Sequence, residues 1–573
     1  MNNEVKVNKH KKDIAELERK FRSRDISSGF KLYQTFHQGV FEKNSNGEIV
    51  CLIEKDEKLA DNYLKECSIE LENTTKTDEK GHSKEKFLLA TLNLTNFRKF
   101  KSLKLKLDKN LTVIIGENGS GKTTIVDAIS KSLSWVGNNI VRKGGRGRPV
   151  TDYDVNINCQ TYSEINIQIK IGNNTEYIAS LNKTAKGAKN VKNSRLEALD
   201  ELAGLYRIIN DFNIKNNKDE INLPILVSYD VNRANINTNK TFSIDNTSAL
   251  SLGSRFDAYD KATDGTGNFS AFSEWFITLH NLAGGDLKER LDAAKKKVDA
   301  LSLAGADQTT SELWEIFSIT KSEYEKLLSE FNKKETYIEY LRILKNAITS
   351  TIPDIDDIFV DSSSGRAELK VIVNDIEVNV FQTSQGQHVF LSIIADITRR
   401  LIMLNPSLSN PLLGQGVVLI DEVELHLHPK WQQGIIKSLV NTFPNIQFIL
   451  TTHSPQVLST VDKSNIRQFI EDEYGNIKSI PPKFQTKGVA SSDILNEIMH
   501  TNSIPDIEEA HLVESFSEKI LHGDRTGADT ILSNLISHFG EDHPIIENCQ
   551  NKIHILEMKE RIKQKKKEKK DGK

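Results

Sequence analysis

Cysteine is scarce in this sequence, and its few cysteines are not paired. The 573 residues include four cysteines, Cys51, Cys67, Cys159 and Cys549, and no Cys-x-x-Cys pair. Disulfide frameworks and structural zinc sites need cysteines at short, regular spacings. The pattern therefore argues against both, and we interpret the four side chains as structural thiols.

Long apolar runs and a large excess of one charge are also absent. No run of about 18 apolar residues occurs, and the first residues, MNNEVKVNKHKK, lack the apolar core of a secretory signal. We therefore expect a cytoplasmic protein without membrane association. Because the formal net charge is only −3, contact with nucleic acid would have to come from local basic patches.

Residues 111–129, LTVIIGENGSGKTTIVDAI, carry the strongest motif in the chain. A short apolar run ends at Gly116, the pattern GxxxxGK(S/T) closes with Lys122 and Thr123, and a helical pattern follows. Strand, glycine loop and helix in this order direct backbone N–H groups and a helix N-terminus at an anion. We expect ATP here, with Lys122 at its β- and γ-phosphates and Thr123 at Mg²⁺. The predicted ATP-binding residues are Gly116, Glu117, Asn118, Gly119, Ser120, Gly121, Lys122, Thr123 and Thr124.

Residues 417–424, VVLIDEVE, predict a buried parallel strand that ends in two carboxylates. Asp421 can bind Mg²⁺ through water. Glu422 is placed to polarise the attacking water, because hydrolysis needs a proton acceptor in line with the γ-phosphate. The overlapping segment ELHLHP contains two histidines, but no carboxylate or cysteine cluster accompanies them. We therefore do not interpret it as a metal site.

The order and spacing of these motifs resemble the ABC-type ATPases related to SMC and RecF, in which a strand pair such as LNLTNFRKF and LKLKL precedes the phosphate loop. The resemblance implies a switch histidine at His453, in FILTTHS, that contacts the γ-phosphate and acts with Glu422 in catalysis. It also implies an arginine beside the nucleotide at Arg98, for which a solvated basic turn is the alternative. The Q-loop of this family is not placed, and Asn156 and Gln160 are its candidates.

Residues 381–394, FQTSQGQHVFLSII, resemble the ABC signature motif, although Thr383 stands where the family has leucine. Alone, the segment would predict only a helix cap. In the family, the serine hydroxyl and glycine N–H of this motif contact a γ-phosphate bound by the neighbouring chain. Because one phosphate loop and one signature motif occur here, the resemblance implies a head-to-tail homodimer that shares two ATP molecules. The signature residues are Ser384, Gln385, Gly386 and Gln387.

Composition and periodicity predict an α/β fold with five regions. The resemblance makes it an SMC/RecF-like P-loop ATPase with an antiparallel β subdomain, a helical insertion, and helical N- and C-terminal regions. No heptad repeat is long enough for the coiled-coil arm of SMC proteins, so the insertion should be compact. The regions are 1–85 (N-terminal helical region), 86–240 (ATPase N-lobe), 241–350 (helical insertion), 351–475 (ATPase C-lobe) and 476–573 (C-terminal helical region with a basic tail).

Several local expectations accompany these regions. The first region should contain a Sel/TPR-like helix hairpin, with Val40 in its helical rhythm, that docks on the chain or on a partner because one repeat cannot bury its own face. A polar linker should follow over 69–85. Strands are expected at 155–158 and 165–170, after a basic glycine loop at 142–149 that suits nucleic acid, an acidic partner or plain solvent. The basic tail should be disordered or contact nucleic acid.

The combination of regions and motifs resembles the PtuA ATPases of bacterial Septu and retron anti-phage systems. The resemblance implies a subunit that binds and hydrolyses ATP and controls a PtuB-like HNH nuclease. In retrons it also implies a reverse transcriptase and its RNA-linked single-stranded DNA as partners. Two alternatives stay open: a RecF-like repair ATPase without a nuclease, and a scaffold that turns ATP over very slowly. An overcoming-lysogenisation nuclease would need a C-terminal acidic metal site, and only residues 471–473 form an acidic cluster after His453.

Overall fold

Strands and helices make up most of the described chain. The computed structural model describes residues 3–43, 49–234, 252–265, 269–284, 286–308, 311–363, 367–502 and 504–571. The strands are β1 (Val40–Lys43), β2 (Ile49–Ile53), β3 (Phe87–Phe97), β4 (Phe100–Lys106), β5 (Leu111–Ile115), β6 (Tyr162–Ile171), β7 (Thr175–Thr184), β8 (Ile225–Tyr229), β9 (Ile355–Asp361), β10 (Glu368–Val373), β11 (Ile376–Asn379), β12 (Gly416–Ile420), β13 (Ile446–Thr451), β14 (Ile466–Glu471) and β15 (Ile477–Ile480). The helices are α1 (Asn3–Arg22), α2 (Ile26–Gln38), α3 (Glu57–Thr74), α4 (Lys122–Val141), α5 (Glu197–Lys215), α6 (Phe269–Ala283), α7 (Asp286–Leu303), α8 (Trp314–Asn332), α9 (Lys334–Thr351), α10 (Gln385–Leu404), α11 (Pro429–Gln432), α12 (Ile435–Thr442), α13 (Pro455–Leu458), α14 (Ser491–Glu497), α15 (Glu508–Leu521), α16 (Arg525–Phe539) and α17 (Pro544–Asp571).

A six-stranded sheet in the order β15-β14-β5-β13-β12-β8 positions the candidate site. Its strands are parallel except β15, which pairs antiparallel with β14 at one edge. β5, β8, β12 and β13 are buried along their whole length, as expected for parallel strands covered on both faces. Because parallel strands end at the same edge, the loops that follow β5, β13, β12 and β8 lie side by side.

A four-stranded antiparallel sheet in the order β4-β3-β6-β7 forms the predicted β subdomain. The prediction of a strand at 155–158 is wrong. Val155 forms only an isolated bridge to Phe97, and the Asn156 side chain accepts a hydrogen bond from the N–H of Asn158 at 3.0 Å. That Asx-type contact turns the backbone and competes with strand pairing. The strand expected at 165–170 lies within β6.

The N-terminal region contains helices joined by a strand hairpin rather than the predicted helix–loop–helix repeat. α2 ends where Gly39 takes φ +70, and Val40 begins β1, which pairs with β2. Branching at the β-carbon of Val40 favours the extended backbone. Residues 46–47, where the pair Asn-Gly predicts a turn, lie outside the described residues. α2 and α3 pack on each other and on α5, so this region docks on the rest of its own chain.

The polar linker expected over 69–85 is not a linker. α3 continues to Thr74, and Ser83 is buried. The N–H of Ser83 donates to Asn445 Oδ1 at 2.7 Å, and its hydroxyl accepts from Gln415 Nε2 at 3.0 Å. Ser83 is therefore bound by two buried amide side chains, which immediately precede β12 and β13.

The region expected to be a helical insertion contains four helices among its described residues. α7 packs on α8, while α6 and α9 both pack on α10. Trp275, Phe276, Leu279 and Leu282 form a buried stripe on α6. A small antiparallel sheet, β11-β10-β9, follows α9. Residues 241–251 of the predicted insertion lie outside the described part of the chain.

The boundary expected at residue 475 is wrong, because β15 still belongs to the six-stranded sheet. The chain divides instead into Met1–Val489 and Ala490–Lys573. The second unit has its own apolar core, which includes Phe516, Leu535 and the buried Cys549. Its last helix, α17, runs through the segment expected to be a disordered tail. Within the described ranges, no helix is both long and apolar enough to cross a bilayer.

Candidate nucleotide-binding site

The glycine loop lies between β5 and α4, as its sequence predicts. Gly121 takes φ +99, and a Cβ at this position would lie 2.5 Å from the Phe100 ring, so only glycine fits. Lys122 opens α4 and is almost fully buried. Its Nζ donates to the carbonyls of Gly116 at 2.8 Å and Glu117 at 2.9 Å. The amino group and the N-terminus of α4 therefore face the concave side of one loop, where a phosphate would be stabilised.

Asp421 follows β12 and is fully buried. Its Oδ1 accepts a hydrogen bond from Thr451 Oγ1 at 2.5 Å, whereas its Oδ2 is buried and has no hydrogen-bond partner among the described residues. A buried carboxylate oxygen without a partner is unfavourable unless a cation compensates it. Thr123 and Asp421 line the same pocket, which has a volume of about 330 Å³.

These two side chains fit the Mg²⁺ that the sequence predicts. Oxygen ligands suit this ion, and nucleotide-bound Mg²⁺ uses few protein ligands besides phosphate and water. No group of three or more His, Cys, Asp or Glu side chains in the described ranges could hold a metal ion. Thr123 and Asp421 stay the predicted ligands of the metal.

Thr451, at the end of β13, connects the two carboxylate residues and was not singled out from the sequence. Besides donating to Asp421, its hydroxyl accepts the N–H of Glu422 at 2.7 Å. Glu422 is half-buried and takes φ +48, a left-handed conformation that is strained for a side chain of this size. The signal available in the sequence was a polar residue directly after the apolar run 448–450 and before Thr452 and His453.

His453 lies in the loop after β13, beside the end of β12. Its N–H donates to Glu424 Oε1 at 2.5 Å, and Thr452 Oγ1 donates to Glu424 Oε2 at 2.7 Å. Burial lowers the pKa of His453, and the positive charge of Lys122 lowers this pKa further, against the opposing effect of Glu424. Both effects favour the neutral imidazole, in which one ring nitrogen can still donate a hydrogen bond.

The acidic residues that follow β12 affect the charge of Lys122. Burial lowers the pKa of the Lys122 amino group, and it outweighs the opposite effect of Asp421, Glu422 and Glu424. The structure thus brings together the predicted residues of the glycine loop, of the strand-end carboxylates and of the switch histidine. Glu424, which binds Thr452 and the N–H of His453, is a further residue of the site, and the ELHLHP segment did not predict this role.

Arg98 is not a solvated basic turn. It takes φ +48 between β3 and β4, its Nε donates to Asp154 Oδ1 at 3.0 Å, and its Nη2 also pairs with Asp127 on α4. Burial raises the pKa of Asp154, but Lys131, the N–H of Thr151 and Arg98 outweigh burial and hold this pKa at about 2. Arg98 therefore belongs to a charged network that joins the β subdomain to the helix of the glycine loop.

The Q-loop candidates are not confirmed by their placement. Asn156 is buried, and its Nδ2 donates to the carbonyl of Arg98 at 2.5 Å. Its amide thus supports the turn that carries Arg98. Gln160 is exposed. Neither position is distinguished as a sensor of the γ-phosphate, and both stay predictions.

The predicted signature residues form the start of α10. Ser384 Oγ accepts the N–H of Gln387 at 3.3 Å, and Gln387 Oε1 accepts the N–H of Ser384 at 3.2 Å, which makes a capping box. A Cβ at Gly386 would lie 2.5 Å from the carbonyl oxygen of His426. Ser384 and Gln385 are exposed. No hydrogen bond or ion pair between described residues connects these four positions to the glycine loop of the same chain.

Comparison with known proteins shows to which class of protein the chain belongs. Residues 88–458 match the family described as AAA ATPase domain, and the chain belongs to this family. The predicted fold class, an α/β P-loop ATPase with a β subdomain and helical regions, is thereby confirmed.

Two similar proteins extend over nearly the whole chain. The retron Vc95 probable ATPase of Vibrio cholerae serotype O1 biovar El Tor is 31% identical over 518 residues, which cover 90% of this chain and 93% of that protein. The retron Ec83 probable ATPase of Escherichia coli is 30% identical over 577 residues, 96% of this chain and 97% of that protein. The Septu protein PtuA of Bacillus mycoides (strain KBAB4) is 27% identical over 163 residues, 27% of this chain and 22% of that protein. The resemblance to retron and Septu ATPases is confirmed.

Proposed function

We propose that this chain binds ATP with Mg²⁺, hydrolyses it to ADP and phosphate, and serves as the ATPase subunit of a bacterial anti-phage defence complex. The observation that carries the proposal is the meeting of Lys122, Asp421, Glu422 and His453 at adjoining ends of parallel strands. Each has the chemistry that phosphoryl transfer to water requires. Membership of an ATPase family and similarity to two retron ATPases support the same function.

Each residue has a defined role in this mechanism. Lys122 and the N–H groups of the glycine loop bind the β- and γ-phosphates, while Thr123 and Asp421 hold Mg²⁺, which supplies neutralising charge when bound. Glu422 orients the attacking water and accepts its proton. His453 donates a hydrogen bond from a ring nitrogen toward the γ-phosphate. The strain at Glu422 is retained because its N–H is fixed by Thr451.

We also propose that the hydrolytic site is completed by a second copy of the chain. Ser384 and Gln385 are exposed at the N-terminus of α10, where a helix end and a hydroxyl could meet the phosphate of a neighbour's ATP. In a head-to-tail homodimer, two such composite sites would form. ATP-dependent dimerisation, measured by light scattering with and without ATP, tests this part of the proposal.

We propose that ATP binding by this chain controls a partner HNH nuclease. In a retron, the partners would also include a reverse transcriptase with its RNA-linked single-stranded DNA. Full-length similarity to retron ATPases favours this assignment over a RecF-like repair ATPase. In the basic loop, Arg148 is engaged with Asp127 and the carbonyl of Thr263. Arg142 and Arg146 are exposed and available to phosphates.

Two measurements test the proposed function. Phosphate release from ATP should require Mg²⁺ and stop when EDTA is added, and absence of any release from the purified dimer with its native partners would contradict hydrolysis. Affinity purification from the native host should recover a nuclease with the chain. Recovery of DNA alone, with no nuclease, would favour the repair ATPase instead.

A further inference from the structure

Arg233 is a buried cation next to the proposed catalytic carboxylate. It lies in the short 3₁₀ helix Val231–Ala234 that follows β8, the strand next to β12, and only 4% of it is exposed. A guanidinium removed from water needs several well-placed acceptors. The hydrogen-bond acceptors of Arg233 should therefore indicate the role of this buried charge.

The guanidinium binds three backbone carbonyls at the ends of two neighbouring strands. Nη1 donates to the carbonyl of Asp230 at 2.8 Å and to that of Asp421 at 2.5 Å. Nη2 donates to the carbonyl of Glu422 at 2.6 Å. The planar fork of arginine can serve these acceptors together, which the single ammonium of lysine cannot do with the same geometry. Arg233 therefore fixes the backbone that carries both carboxylates.

The peptide groups on either side of the Glu422 Cα are consequently fixed. Its N–H is bound by Thr451 Oγ1 at 2.7 Å, and its C=O is bound by Arg233. Between these two contacts the residue takes φ +48, a conformation that persists only where the surroundings enforce it. A change in this conformation would turn the carboxylate away from its present direction.

We propose that Arg233 is a positioning residue for ATP hydrolysis, which holds the left-handed backbone of Glu422 so that its carboxylate stays in line with the attacking water. The proposal rests on the proposed role of Glu422 as the general base. Arg233 acts through the backbone carbonyls of Asp421 and Glu422 and not on ATP. Because Thr451 Oγ1 holds the Asp421 carboxylate separately, loss of Arg233 should reduce the rate of the chemical step and leave ATP affinity unchanged.

The primary test compares Arg233→Gln with Arg233→Lys and with the parent chain. For Arg233→Gln we expect kcat to fall about 10- to 100-fold, the effect of a misplaced catalytic group, with an unchanged Kd for ATP. Arg233→Lys keeps the charge and should recover part of kcat. A raised Kd with an unchanged kcat, or parental kcat in both variants, would overturn the proposal. If Arg233→Gln does not fold, Arg233→Lys alone decides, because it too should lower kcat.

Arg255→Gln is a matched control. The side chain of Arg255 is also mostly buried, with 8% of it exposed, and its Nη2 donates to the backbone carbonyls of Ile221 and Leu404, at 2.6 and 2.5 Å. It does not contact the carboxylates that follow β12. Its replacement should lower stability and leave the kcat of the folded protein unchanged. An equal loss of kcat in Arg255→Gln would show that any buried arginine has this effect, and would contradict positioning.

A double-mutant cycle separates this proposal from the proposed function. In a Glu422→Gln background, Arg233→Gln should reduce kcat by less than about twofold more, because both changes act on one group. Fully additive losses would overturn the positioning role. If Glu422→Gln alone keeps parental kcat, the base assignment fails. If Glu422→Gln is impaired while Arg233→Gln is not, only the role of Arg233 fails.

Discussion

Replacing Thr451 by valine is a sharp test of how the catalytic edge of the sheet is held. Valine keeps the shape of the side chain and replaces the hydroxyl by a methyl group. Thr451 is fully buried, and its Oγ1 accepts the N–H of Glu422 at 2.7 Å while donating to Asp421 Oδ1 at 2.5 Å. The change therefore removes both hydrogen bonds at once without leaving a large cavity.

The expected loss follows from the two groups that become unpaired. A buried polar group without a partner costs about 1–3 kcal/mol. The Glu422 N–H and Asp421 Oδ1 together should therefore lower the free energy of unfolding by roughly 2–6 kcal/mol. Because Glu422 would lose one of the contacts that hold it at φ +48, ATP turnover should also fall, by up to about 10²-fold.

Urea unfolding and steady-state phosphate release measure the two effects. Thr451→Ser is the matched control, since it keeps the hydroxyl, and it should stay near the parent in turnover. If Thr451→Val unfolds at the same urea concentration as the parent and hydrolyses ATP at the same rate, the contacts of Thr451 do not hold the site.

Three further predictions concern the glycine loop, the shared site and the Arg98 network. Lys122→Ala should abolish ATP binding, because it removes the loop's buried cation, and unchanged affinity in a nucleotide titration would refute this. Lys122→Ala and Ser384→Arg chains, each inactive alone, should partly recover activity when mixed, since a mixed dimer has one intact site. A dimer that needs both ATP molecules would stay inactive, so crosslinking is measured as well. Absence of ATP-dependent crosslinks between chains with Cys substituted at 384 and at 119 would exclude the head-to-tail arrangement. Because the pKa of Asp154 is held at about 2, below its unfolded value, its stabilising effect should be complete above that unfolded value and lost as pH falls toward 2. Asp154→Asn should therefore show a flatter decline of Tm with acid than the parent, and parallel pH profiles would contradict this.

The parts of the site that local pattern predicts are those formed by consecutive residues. The glycine loop requires only β5, a turn and α4, so its motif indicated both its structure and its ligand. The strand before Asp421 could be read in the same way, because four consecutive apolar residues predict burial on both faces. The cap at Ser384 is likewise local, since its partner Gln387 is three residues away.

Contacts between distant segments could not be read in this way. Arg233 binds carbonyls 188 and 189 residues further along the chain, and Thr451 reaches back 29 residues to Glu422. Such contacts depend on the order of strands in the sheet, which no single segment determines. The hairpin β1–β2 escaped prediction for a related reason: two short strands have little periodicity, and Val40 fits a helical spacing as well as an extended one.

The central claim is that Glu422 is the general base of an ATP-hydrolysing site. The most direct test measures phosphate release and ATP affinity for Glu422→Gln, beside Glu197→Gln, an exposed glutamate on α5, as the matched control. We expect turnover to fall by about 10²-fold or more in Glu422→Gln, with ATP still bound, and no change in Glu197→Gln. Turnover equal to that of the parent chain in Glu422→Gln would contradict the claim.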